Sequence, residues 1–161
     1  MSRRKNLDLM TVNDWDKVKW FSADEFNEPL KMHKDLIFRL DYLRYLTGKA
    51  ITIKSSYRRG SKGYHGKGMA VDISIDGMNC LDAFFWATRI DRFNGIGIYP
   101  NWATPGLHLD IRPFTAEHEH DSRWTGLLEF DENGKARRDA KGNLIINYMP
   151  LNWAVLKDFI K

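Results

Sequence analysis

The sequence predicts an α+β fold, an antiparallel sheet with helices packed on one side. Stretches around residues 50–55, 69–76, 94–99 and 107–112 alternate apolar with polar residues or glycine, as half-buried strands do. Between them, apolar residues at 33–46 and 80–90 recur at three- and four-residue steps, as on one face of a helix. The later strands are joined by connections too short for a crossover helix, which favours antiparallel pairing. With 43% apolar residues in a chain of 161, one core and one domain are expected. Its motif-bearing part spans 21–124, and a basic β-ribbon and terminal helix fill 125–161.

Residues 1–13 are polar and read as a loosely held arm. Ser22-Ala-Asp-Glu25 has the form of a capping box, so a short helical turn is expected before Pro29. The helix at 33–46 carries Leu36, Ile37, Leu40 and Leu43 and is stopped by Gly48. His33 at its start reads as structural. Ala50–Ser55 is a strand, and the Gly- and Lys-rich stretch 57–68 is a loop. In strand 69–76, Val71, Ile73 and Ile75 share one face, with Ala70, Asp72 and Ser74 on the other. Asn79 suits the N-cap of the second helix, whose aromatics read as core. In strand 94–99, Ile96 and Ile98 back a bare face of Gly95 and Gly97, which would leave room for a substrate. In strand 107–112, Leu107, Leu109 and Ile111 oppose His108, Asp110 and Arg112. Residues 127–148 form a ribbon with turn signals at Glu132-Asn-Gly134 and Lys141-Gly-Asn143, and Pro150 opens a last helix. No internal repeat is visible.

Composition narrows the function classes. The net charge of +4 favours anionic surroundings without choosing among them. The basic segments Arg3–Lys5 and Lys135–Arg138 read as solvated surface. No nucleic-acid motif accompanies them, so a basic binding domain is disfavoured. The lone Cys80 excludes a disulfide framework and a cysteine-rich zinc knuckle, leaving histidine and carboxylate as metal ligands. No run approaches the ~20 apolar residues of a membrane span, and the N-terminus lacks the apolar run of a secretory signal. The chain is expected to be made in the cytoplasm, without membrane insertion, and to be a monomer.

Chemistry concentrates between Ser55 and Arg112. Strand parity puts Asp72, His108 and Asp110 on one face, and His65 lies on the loop feeding the Asp72 strand. Two neutral imidazoles and one carboxylate leave a zinc ion positively charged with its fourth position open. That arrangement characterises catalytic zinc and lowers the pKa of water there toward ~7. Trp102, on the turn before His108, either lines a groove or covers core. His118 and His120 form a second His-x-His, in a polar stretch that reads as a solvated loop.

The segments SSYRR, HGKGMAVDI, GIGIYP, HLDIR and Arg123-Trp124 resemble the zinc-dependent D-alanyl-D-alanine peptidases, the M15 peptidases of bacteria and phages, whose fold is shared by the hedgehog signalling domain. The resemblance covers about residues 21–124. It implies His65, Asp72 and His108 as zinc ligands and Arg58 as the group that binds a substrate carboxylate or a developing oxyanion; Tyr57 and Trp102 are further substrate-binding candidates. It also implies hydrolysis of a peptide bond in peptidoglycan, by a phage endolysin-like or virion-associated enzyme acting on the cell wall. Two positions depart from the pattern. Gly63 replaces a serine common in relatives, and Thr104-Pro105-Gly106 lacks the carboxylate that many carry before the last histidine. Asp110 is then the best general base on geometry, with an imidazole-orienting role as its alternative; Glu117 and Glu119 are further candidates. The missing acid keeps a second function open, a non-catalytic zinc-stabilised binding module of the same fold.

Overall fold

The computed structural model describes residues 8–114 and 121–159. The fold is α+β, built on a six-stranded sheet. In chain order the elements are α1 (Val12–Trp15), α2 (Lys34–Thr47), β1 (Ile51–Ser55), β2 (Ala70–Ile75), α3 (Cys80–Ala87), β3 (Gly95–Tyr99), β4 (Gly106–Asp110), β5 (Ser122–Leu128), β6 (Ile146–Pro150) and α4 (Trp153–Leu156). The strands lie in the order β1-β2-β4-β3-β5-β6.

The alternation in the sequence is what builds the core. Val71, Ile73 and Ile75 of β2, Ile96 and Ile98 of β3, and Leu107 and Leu109 of β4 all sink into one apolar layer. Leu36, Ile37, Leu40 and Leu43 of α2 join that layer, as do Cys80, Ala83, Phe84 and Ala87 of α3. Its caps are those the sequence suggests. The His33 side chain accepts from the amide of Asp35, Gly48 takes a left-handed conformation after α2, and Asn79 caps α3. Buried Asp41 on α2 accepts from the amides of Lys19, Trp20 and Phe21, fixing the entering segment onto the helix.

Four expectations need correction. The sheet is mixed rather than antiparallel: the chain leaving β4 re-enters on the far side of β3, so β5 runs parallel to β3. The strand expected at Leu127 begins at Ser122, so the boundary drawn at residue 124 falls inside β5. Pro150 ends β6 instead of opening a helix, and Asn152 caps the single turn of α4. The amino-terminal arm is tied down from residue 8 onward. Met10 is buried with its amide on the carbonyl of Met32, and Thr11 makes a capping box with Asp14.

Beyond Leu128 and Ile146 the strands β5 and β6 part, and a short segment lies between them through bridges Phe130–Ala136 and Arg138–Leu144. Its two turns are alike and eight residues apart, a short repeat in the ribbon. In each, an aspartate carboxylate (Asp131, Asp139) accepts from amides two and four residues on, and a glycine with positive φ follows at Gly134 or Gly142.

The glycine at 68 has a physical reason. Its φ is +69°, and a Cβ there would run into the Lys31 carbonyl, because the Gly68 carbonyl accepts from His33 N at 2.9 Å and brings the two chains together. Gly68→Ala is expected to lower the unfolding free energy by about 2–4 kcal/mol. Gly77, with the same φ in open space, should lose only about 1–2 kcal/mol on the same change, and urea unfolding compares them.

Candidate metal centre

The face of β2 and β4 turned away from the core carries the predicted constellation. Asp72 and His108 are direct partners in the β2–β4 register, so their side chains stand side by side. His65 reaches them from a 3-10 turn at Tyr64–Lys67, which ends at Gly68. The ligand atoms of His65, Asp72 and His108 lie within 4.8 Å of one another.

The details fit a metal. His65 Nε2 is 3.3 Å and His108 Nδ1 3.0 Å from the same carboxylate oxygen of Asp72. Tetrahedral zinc, with bonds of about 2.0–2.1 Å, spaces its nitrogen and oxygen ligands roughly 3.3 Å apart. The His65 Nδ1 lies 2.7 Å from the Ser56 carbonyl, an acceptor that fixes the proton on that nitrogen. Nε2 is then left with a free lone pair, buried and without a hydrogen-bond partner among the described residues, facing the other two ligands. A buried polar atom so placed costs free energy unless something binds it.

Asp110 occupies the other side of His108. Its carboxylate accepts from His108 Nε2 at 2.9 Å and takes the Arg112 guanidinium in a two-pronged pair at 2.8 and 2.6 Å. It is fully buried over Gly95, where a Cβ would strike the carboxylate. The geometry therefore gives Asp110 the imidazole-orienting role, which fixes the tautomer that leaves Nδ1 free to ligate. Burial opposes its charge, but Arg112 and then His108 outweigh this and hold its pKa at about 2. Burial likewise opposes charge on Asp72, and His108 holds that carboxyl well below the usual range.

Arg58 is brought to the site. Its amide donates to the His65 carbonyl, and its half-exposed guanidinium stands 3.6 Å from the outer oxygen of Asp72. Trp102 is also there, stacked on Tyr99 with ring centroids 4.1 Å apart, so the groove-lining alternative is the one observed. Tyr57 is not. It packs against the core, and Tyr64 lines the cleft instead. Glu117, Glu119, His118 and His120 lie outside the described residues.

The supposedly bare glycine face is filled. Trp124 of β5 lies over Gly97, and a Cβ on that glycine would come within 2.5 Å of the indole. The Trp124 indole nitrogen donates to the Tyr99 hydroxyl, and Arg112 is sandwiched between the rings of Trp124 and Tyr64, 5.0 Å from each. Room for a ligand lies instead above the trio, in a cleft of about 840 Å³ walled on one side by the ribbon residues Arg138, Leu144 and Tyr148. Arg112, Trp124 and the ribbon wall are the contributors that sequence reasoning left without a role. The available signals were the shared strand parity of Arg112 with Asp110 and the place of both Arg112 and Trp124 in segments that carry the family resemblance.

No family model, curated protein or solved structure matches the chain. Among the described residues, no helix is long and apolar enough to cross a membrane.

Proposed function

We propose that the chain is a zinc-dependent hydrolase of peptide bonds in peptidoglycan stem peptides or cross-links, with the hedgehog/DD-peptidase type of fold. The observation that carries this is the buried, unpartnered Nε2 of His65, converging with His108 and Asp72 at the base of an open cleft. The motif resemblance supplies the substrate class.

Zinc, when bound, supplies Lewis acidity that polarises a carbonyl and makes water a nucleophile near neutral pH. His65, Asp72 and His108 would hold it. Asp110 and Ser56 keep the two imidazoles in ligating tautomers. Arg58 offers a planar donor fork at the cleft side of Asp72, suited to a substrate carboxylate or to charge growing on a carbonyl oxygen. Trp102, Tyr64 and Tyr148 shape the walls that orient the peptide.

The test is zinc-loaded protein on purified peptidoglycan from several wall types. New amino groups should appear, stop on chelation and return with zinc, and mass spectrometry of the muropeptides identifies the bond. One observation favours a second reading. Among the described cleft residues Asp72 is the only carboxylate, so none of them is a free general base. Zinc at one equivalent with no amino groups released from any wall type would establish the binding module.

A further inference from the structure

On the far side of Trp102 lies a second hollow, of about 540 Å³, that the function above does not use. It shares Asp72, Trp102 and Leu144 with the metal cleft, so the two are neighbours with Asp72 in the wall of both. Their chemistry differs. The metal cleft is flanked by Arg58, Arg112 and Arg138, whereas this hollow is walled by Ala103, Leu128, Phe130, Ala136 and Leu144.

Two features make it a shaped site rather than a gap. Phe130 and Leu144 are 47% and 38% exposed, and both face the hollow; ribbon side chains left this open gain most from a ligand that covers them. Trp102 is held flat as a partition, stacked on Tyr99 and with the Lys54 ammonium 5.2 Å from its ring. Lys54 is aimed there by an irregularity in β1, where the register passes from Ile53–Ile73 to Ser55–Asp72 and leaves Lys54 without a partner in β2. The Lys54 amine also donates to the Thr104 carbonyl. The rim thus carries a cation, and among the described residues the only carboxylate in the lining is Asp72, a proposed metal ligand.

We propose that this hollow is a side-chain subsite of the same site, accepting an uncharged aliphatic or aromatic side chain next to the bond cleaved and rejecting a cationic one. The inference rests on the hydrolase reading for the word "cleaved" but not for the binding it describes. Apolar burial favours leucine over a smaller residue, and Lys54 disfavours an amine entering beside it. The ribbon is then the element that sets specificity.

The test uses acetylated Ala-Xaa-Ala peptides, Xaa being leucine, lysine or glycine in either configuration, with zinc-loaded protein. Two measurements run in parallel, kcat/KM for hydrolysis and equilibrium binding followed through the Trp102 indole NMR signal. Leucine should exceed lysine by about tenfold or more in either measurement. Ala136→Trp, which fills the hollow, and Leu144→Asn, which makes its wall polar, should each bring that ratio toward one. Both positions lie on the solvent-facing ribbon, and zinc stoichiometry checks that each variant is folded at the metal trio. Leucine and lysine within twofold of each other, or a preference that survives both substitutions, would overturn the subsite. Leucine-selective binding without hydrolysis of any peptide would sustain the subsite and remove the hydrolase.

Discussion

Asp72→Ala is expected to weaken zinc binding by about a thousandfold and to remove hydrolysis with it. The size follows from sharing roughly 10–16 kcal/mol of zinc affinity among three protein ligands. Asp72 is the residue to choose because both imidazoles converge on its one oxygen, at 3.3 and 3.0 Å, so its loss opens the constellation from the centre. Competition titration with a zinc chromophore measures the affinity. Near-wild-type binding would mean that the metal sits elsewhere. A pH dependence accompanies this. In the metal-free protein burial opposes charge on His108, but Asp110 and Asp72 outweigh it and raise its pKa. A proton must therefore leave before the metal binds, and zinc affinity should fall on acidification at a higher pH than for an ordinary imidazole.

Asp110→Asn separates two roles that predict different losses. A general base would leave zinc in place and cost at least about a hundredfold in rate. An orienting acceptor would cost about 10–100-fold in zinc affinity. The second is expected, since both carboxylate oxygens are taken by His108 and Arg112 and the group is fully buried. Stability should fall too, by about 2–3 kcal/mol, because Arg112 loses its charged partner while remaining only a quarter exposed. Zinc titration and urea unfolding of the same variant read both. Unchanged affinity with collapsed turnover would return the base to Asp110.

Asp72 and His108 were legible because period-two alternation in β2 and β4 states which side chains share a face, and the antiparallel register sets them side by side. His65 was legible from the HGKGMAVDI segment that leads into β2. What lay beyond reach depended on neighbours remote in sequence. Gly95 and Gly97 look like open space along their own strand. Only the partners decide that Asp110 and Trp124 fill it. Trp124 itself sits in SRWTG, whose polar and small residues carry no strand period, so neither the start of β5 nor its parallel pairing was visible. The sequence points to Tyr57 as a wall residue and not to Tyr64, yet the backbone of the intervening loop sends the first to the core and the second to the cleft. The Asp-x-x-Gly likeness of the two ribbon turns is faint as text, since only aspartate and glycine recur.

Those two turns have a consequence for how the site can change over time. Each is closed by its own aspartate and backbone amides, and the segment between them is held by main-chain bridges. The ribbon's shape thus depends little on the side chains it points at the cleft, and none of those side chains belongs to the core. Substitutions at Phe130, Ala136, Arg138 or Leu144 should alter what is recognised at little cost in folding, typically within about 0.5 kcal/mol for surface positions. The proposed metal ligands, Asp72 and His108 on central strands and His65 buried on the turn before them, have no such latitude. Variation and selection, natural or in the laboratory, would find new specificities in the ribbon first.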